Sequence, residues 1–240
     1  MAKEKILNLI TLCFVICSLL WGCSNNITDL EEIKGSGLTY SEFFKELDKL
    51  DERENVTYYK PVPISEMDSI NTFKNVEIIS TENLPFEVDE EMAYLVTSED
   101  SNGNDINQIQ FSYLNKSEYE SVEEFFIISI TEARENPIEN NRIFDEVDLV
   151  GNELRKDLLT EDIPIYQQII TTDSAMLYRY YNYDKNKNSI DTVGTAANEF
   201  YTYYNGYVYH IGYLIDKDRN TKEMQEHMLR ITRDLILGNS

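Results

Sequence analysis

The sequence predicts an α+β chain in which short strands dominate the second half and amphipathic helices punctuate it. Three observations carry this. Apolar and aromatic residues alternate with polar ones in "INQIQFSYL", and strand formers crowd "NEFYTYY" and "YVYHIGYLI". Asn102-Gly103 and Asn205-Gly206 stand between such runs, where a pair that tolerates positive φ closes a hairpin. Met224, Met228, Ile231 and Leu235 recur at helical spacing just before Gly238, which marks a C-terminal amphipathic helix from about Thr221 to Leu237. Asn220 and Glu223 are suited to cap its start.

Each element follows from a local pattern. Thr39 and Glu42 form a capping box ahead of Phe43, Leu47 and Leu50, which predicts a short helix ending before the extended path that Pro61 and Pro63 impose. "NVEIIS" (75–80) reads as a strand. "EMAYLVTS" and "INQIQFSYL" read as a hairpin, with Ile109, Phe111 and Tyr113 buried and Gln110 and Ser112 facing water. "SVEEFFIISITEAREN" reads as a helix: Ser121 and Glu124 box its start, Val122, Phe125, Phe126, Ser129 and Ala133 share one face, and Pro137 stops it. "DEVDLV", "IPIYQQIIT" and "AMLYRYYNY" read as strands. A two-residue turn at Asn205-Gly206 pairs Tyr204 with Tyr207, Thr202 with Tyr209 and Phe200 with Ile211 on one face. It pairs Tyr203 with Val208 and Tyr201 with His210 on the other.

The N-terminus has a different logic. Lys3 and Lys5 precede the apolar run "ILNLITLCFVICSLL" (6–20), and Leu20-Trp21-Gly22-Cys23 follows. This start resembles a bacterial lipoprotein signal, although Trp21 stands where that family has a small residue. The resemblance implies cleavage between Gly22 and Cys23 and a diacylglyceryl group on the Cys23 thiol. It further implies a lipid-anchored chain on the extracytoplasmic face of the cell membrane, with the bilayer as its first partner. One competing reading is a plain secretory signal cut elsewhere; the other is a retained membrane helix, but the run falls short of the about 20 apolar residues that span a bilayer and contains Asn8, Thr11 and Ser18. All three cysteines lie at or before Cys23, so Cys13 and Cys17 leave with the signal and the mature chain folds without a disulfide. The expected organisation is a signal over 1–22, a flexible tether over 23–38, an N-terminal helical extension over 39–72 and an α+β domain over 73–240.

Charge narrows the partners. The whole chain carries a formal charge of −23 from 44 acidic and 21 basic residues. Losing residues 1–22 removes Lys3, Glu4 and Lys5, a net charge of +1, and makes the mature chain one unit more acidic. Such a chain repels nucleic acid and anionic head groups, so no nucleic-acid partner is expected. An envelope protein or glycan remains.

The order of elements from Asn75 to Leu237, ending in "YYNGYVYHIGYLID" and an amphipathic helix, resembles the PsbP-like fold found in small bacterial lipoprotein domains. That resemblance implies an antiparallel sheet covered by helices, serving as a binding or accessory module, and transfers no site residue.

Chemistry-bearing motifs are sparse. The sequence has no paired-cysteine metal spacing, no HExxH, no GxSxG and no phosphate-binding glycine loop, so no catalytic residue and no cofactor is expected. Only His210 and His227 can supply imidazole, and neither has a companion motif. Asp184, Asn186 and Asn188 match the first three ligand positions of a calcium loop, but Ser189 replaces its glycine and Thr195 its bidentate glutamate. Ten of the 17 tyrosines fall between Tyr178 and Tyr213. Tyr201, Tyr203 and His210 on one sheet face form the candidate ligand-binding surface, able to stack on sugar rings or grip a peptide. The expected function is a non-enzymatic, membrane-anchored binding or accessory module. The alternatives are an envelope hydrolase using carboxylates and a structural subunit of an envelope complex.

Overall fold

The computed structural model describes residues 30–69, 76–139, 146–171 and 178–238. Within them one continuous sheet of 13 strands dominates. The strands are β1 (Glu32–Gly35), β2 (Tyr40–Ser41), β3 (Glu54–Tyr59), β4 (Val62–Pro63), β5 (Glu90–Glu99), β6 (Asp105–Lys116) and β7 (Val122–Glu132). They continue with β8 (Glu153–Leu158), β9 (Pro164–Ile169), β10 (Tyr178–Asp184), β11 (Ser189–Thr195), β12 (Asn198–Tyr204) and β13 (Tyr207–Leu214). Helix α1 (Lys222–Leu237) closes the chain. The order is β2-β10-β11-β1-β3-β5-β6-β7-β13-β12-β9-β8, with β4 against β5. Every pairing is antiparallel except β1 with β11.

The expected antiparallel sheet covered by helices is therefore corrected: among the described residues α1 is the one α-helix, and sheet covers sheet. Two layers bury the central strands. On one face Met228, Leu229, Ile231, Leu235 and Ile236 of α1 pack with Ile109, Phe111, Phe126, Ile128, Phe200 and Ile211. On the other, the β10–β11 ribbon folds back over the sheet. There Tyr178 and Tyr180 meet Phe125 and Ile127, and Tyr181 and Ile190 meet Tyr94 and Val96. Beside the ribbon, Phe44 covers Tyr201 and Val208.

This double burial explains the misread helix. Val122–Glu132 is strand β7, and Phe125, Phe126, Ile127, Ile128 and Ile130 are each at most 1% exposed. A strand buried on both faces loses its alternation, and its run of apolar residues then satisfies a helical pattern as well as an extended one. Glu124 does not box a helix; it accepts from the Asp216 backbone N–H and pairs with Arg219.

Gln110 and Ser112 are likewise buried, not wet. The Gln110 amide spans the layers: its Oε1 accepts from the Tyr181 N–H at 2.8 Å and its Nε2 donates to the Tyr181 C=O at 3.0 Å. Gln108 Oε1 accepts from the Tyr181 hydroxyl at 2.6 Å. The polar face of β6 is thus a docking face for the ribbon.

The tether and helical extension are corrected too. Glu32–Gly35, expected in the tether, is β1 and joins β3 to β11. The Thr39 hydroxyl donates to the Arg179 carbonyl and bridges to Ser129, so it caps nothing. Ser41 instead accepts from the Phe43 and Phe44 N–H groups, starting a series of tight turns that ends where Lys49 adopts φ 47°. Residues 76–80 form no strand. Of "DEVDLV", Asp145 lies outside the described residues and the rest makes a single bridge, Val147 to Glu153, and a turn.

The C-terminal third follows the sequence closely. Asn205 and Gly206 adopt φ 50° and 87°, and all five expected cross-strand pairs form. Gly212 is required by packing, since a Cβ there would lie 2.5 Å from the Tyr178 ring. Helix α1 is capped one residue later than expected, by Thr221 accepting from the Met224 N–H, and Gly238 ends it at φ 72°.

Gln110→Ala leaves two buried backbone groups of Tyr181 without partners. At about 1–3 kcal/mol for each unsatisfied buried group, urea denaturation is expected to show a loss of about 2–6 kcal/mol. An unchanged midpoint would show that the ribbon docks without this amide.

Candidate functional site

The expected ligand face does lie on one side of the β12–β13 hairpin, but the fold closes it. Tyr201 and His210 are 0% and 3% exposed. Phe44 stacks on Tyr201 with ring centroids 4.7 Å apart, and the Tyr178 ring meets His210 edge-on at 5.0 Å. Tyr203 alone stays half-buried. His210 Nε2 lies 2.7 Å from Oε2 of the fully buried Glu199. Among the described residues Glu199 Oε1 has no hydrogen-bond partner, and the buried Tyr178 hydroxyl lies among Thr39, Ser129 and the Gly212 backbone. These groups form an internal polar seam rather than a surface.

The calcium candidate lies at the β10–β11 turn. Asp184 caps the β10–β11 turn: its Oδ1 accepts from the Asn186 and Lys187 N–H groups, and its Oδ2 sits 2.8 Å from Lys187 Nζ. Asn188 Oδ1 accepts from the Tyr183 hydroxyl. Among the described residues no three His, Cys, Asp or Glu side chains are grouped to hold a metal. Gly22 and Cys23 lie outside the described residues. No described helix is long and apolar enough to cross a membrane.

A wide concavity lies elsewhere, and strand order creates it. Register pairs Glu54 with Glu99, Glu99 with Asp105, and Tyr207 with Glu132. The start of β3, the β5–β6 tip, the end of β7 and the β12–β13 tip therefore share one end of the sheet. Their loops enclose an open groove of about 890 Å³. Its lining is mixed and polar: Asp48, Glu52, Asp100, Asp105, Glu132 and Glu135 against Lys49, Arg53 and Arg134, with the amides of Asn102, Asn104, Asn136 and Asn205. Tyr207 and Val208 line it at the hairpin root. A smaller hollow of about 340 Å³ between β8 and α1 is spanned by Arg155, which bonds to Glu153 and Gln225.

Part of the lining is fixed. Asp100 Oδ1 accepts from the Asn102 and Asn104 N–H groups and both its oxygens meet the Asn104 amide, which holds its pKa below the ordinary value. Glu132 Oε2 accepts from the backbone and amide of Asn107. Asp48 links the groove to the seam: its Oδ1 accepts from the Tyr201 hydroxyl at 2.9 Å, and Arg53 donates to its carbonyl. The residue is half-buried, but its carboxyl points inward. Burial raises its pKa, and the opposing fields of His210 and Arg53 do not overcome that. Glu52, Asp105, Glu135, Lys49, Arg134 and Asn102 stand exposed at the rim.

Sequence reasoning missed this site because none of its residues belongs to a catalytic or ligand-binding motif. The two Asn-Gly pairs marked both hairpin tips; that the tips meet is a property of strand order.

Because the Asp48 pKa is raised, the folded state holds this proton more tightly than the unfolded chain. The stability it contributes is full below the unfolded value of 3.8 and is lost as the pH rises through the folded value. Asp48→Asn, which keeps an acceptor for Tyr201, is expected to match or exceed the parent in urea midpoint at neutral pH, with the gap closing near pH 3.5. A variant weaker than the parent only at neutral pH would show the ionised carboxylate to be stabilising.

No protein-family model, curated protein or solved structure matches the chain.

Proposed function

We propose that the chain is a lipid-anchored binding module of the cell envelope, non-enzymatic, that holds an envelope component in the groove at the hairpin tips. The groove carries this reading. It is wide, open and of mixed polar and apolar lining, and it is built from loops on a double-buried sheet, which is where a rigid scaffold offers side chains to a partner. The Leu20–Cys23 signal supports the anchor, and the formal charge of −23 argues against nucleic acid.

One observation favours a second reading, hydrolysis. A groove carboxyl whose pKa burial has raised stays protonated further toward neutral pH, as a general acid must. In that case incubation with envelope glycans releases reducing ends and Asp48→Asn abolishes the release; absence of release from the parent removes the reading.

Two measurements test the primary proposal. Intact mass of the protein from membranes of its native host is expected to show a chain beginning at Cys23 with a diacylglyceryl increment, absent in Cys23→Ala. A full-length mass indifferent to that change would overturn the anchor. The lipidated full chain is expected to sediment with isolated envelope fragments, and Asn102→Ala with Arg134→Ala to weaken that retention about tenfold, or 1.4 kcal/mol. Retention indifferent to both changes would move binding away from the groove.

A further inference from the structure

We infer that the groove takes an uncharged oligosaccharide laid between the two hairpin tips; this rests on the binding-module reading. The lining decides the ligand class by what each group can do. Carboxylates only accept hydrogen bonds, guanidinium and ammonium groups only donate, and amides do both. Both kinds line the same groove, with Arg53, Arg134 and Lys49 set among the carboxylates of Glu52, Asp100, Asp105, Glu132 and Glu135, while that of Asp48 turns inward. A polyanion would meet the carboxylates, and a polycation would meet the three cations. An apolar segment would strand charged walls without partners, a cost of about 1–3 kcal/mol or more for each group desolvated. A hydroxyl both donates and accepts, so a chain of sugar rings satisfies either wall at every step.

Order within the site points the same way. Asp100 and Glu132 are oriented by Asn104 and Asn107 before any ligand arrives, while Asn102 and Asn205 present exposed amides on the two tips. Tyr207 lines the hairpin root, its ring held edge-on by Tyr209, so this wall of the groove is anchored to the core. The volume of about 890 Å³ lies toward the upper end of the roughly 300–1,000 Å³ of ligand sites and exceeds what one ring fills.

The test is titration calorimetry on the lipidated full chain in neutral detergent micelles. The probes are a panel of neutral tri- to pentasaccharides (N-acetylglucosamine-based and glucan-based), spermine as a polycation and poly-glutamate as a polyanion. At least one neutral oligosaccharide is expected to bind saturably, with an affinity that changes less than twofold between 0.1 and 0.5 M salt. Asn102→Ala and Arg134→Ala are each expected to weaken it about tenfold while leaving the melting temperature unchanged. Asn205→Asp, which keeps a residue tolerant of positive φ, checks the second tip. Failure of every neutral probe overturns the glycan assignment. If envelope sedimentation still depends on Asn102 and Arg134, only the ligand class falls, and rim-dependent binding of spermine or poly-glutamate names its replacement. If sedimentation ignores both residues, the binding-module reading falls with it.

Discussion

The architecture depends on one side chain that behaves as a piece of backbone. Gln110 projects from the middle of β6 and gives the Tyr181 peptide both a donor and an acceptor, as a neighbouring strand would. β2 pairs β10 only at Tyr178 and Arg179, so beyond them the ribbon's outer edge has no strand beside it among the described residues. A buried edge without partners costs free energy at each orphan group, and the amide removes that cost for the peptide at the centre of the contact. Gln108 fixes the same residue through its hydroxyl. These bonds orient the ribbon; the packing of Tyr58, Tyr94, Val96, Tyr181 and Ile190 supplies the burial.

Placing the ribbon there has consequences along the whole inner layer. Thr39, Ser129, Tyr178, His210 and Glu199 are sealed into a polar seam between the layers. A glutamate at 0% exposure is tolerable only with a close partner, and His210 at 2.7 Å provides it. The aromatic residues that made the β12–β13 hairpin attractive as a ligand surface are used up as cover for this seam. Tyr201 keeps one link outward, through its hydroxyl to Asp48 at the groove wall. The groove is therefore braced from beneath by the buried layer and shaped from above by turns, a division that leaves the rim free to vary without loss of core packing.

The sequence's local signals succeeded and failed for identifiable reasons. Asn205-Gly206 set turn type and register together, because a two-residue turn with two positive φ values permits one pairing. The stripe of α1 was legible because its opposite face meets water. β7 was not legible: burial on both faces erases the period that separates strand from helix. Thr39 shows the same limit in miniature, since its hydroxyl could cap a local turn or reach Arg179, and only the position of β10 decides. Asp48 and Arg53 had no local signal at all; each acquires its role from residues about 150 positions away or from a turn that closes over them.

By itself, then, the sequence determined the features whose physics is local: the excess of acid, the β5–β6 and β12–β13 hairpins, and helix α1 with its Gly238 stop. The tertiary structure decided everything that depends on what lies across the sheet. It made β7 a strand, turned the polar face of β6 inward, closed the tyrosine face and gathered four separate loops into a groove. The reason is common to all of these. A residue's neighbours along the chain set its preferred geometry, but whether its side chain meets water, another layer or a ligand depends on strands distant in sequence, and burial and hydrogen-bond satisfaction outweigh the preference.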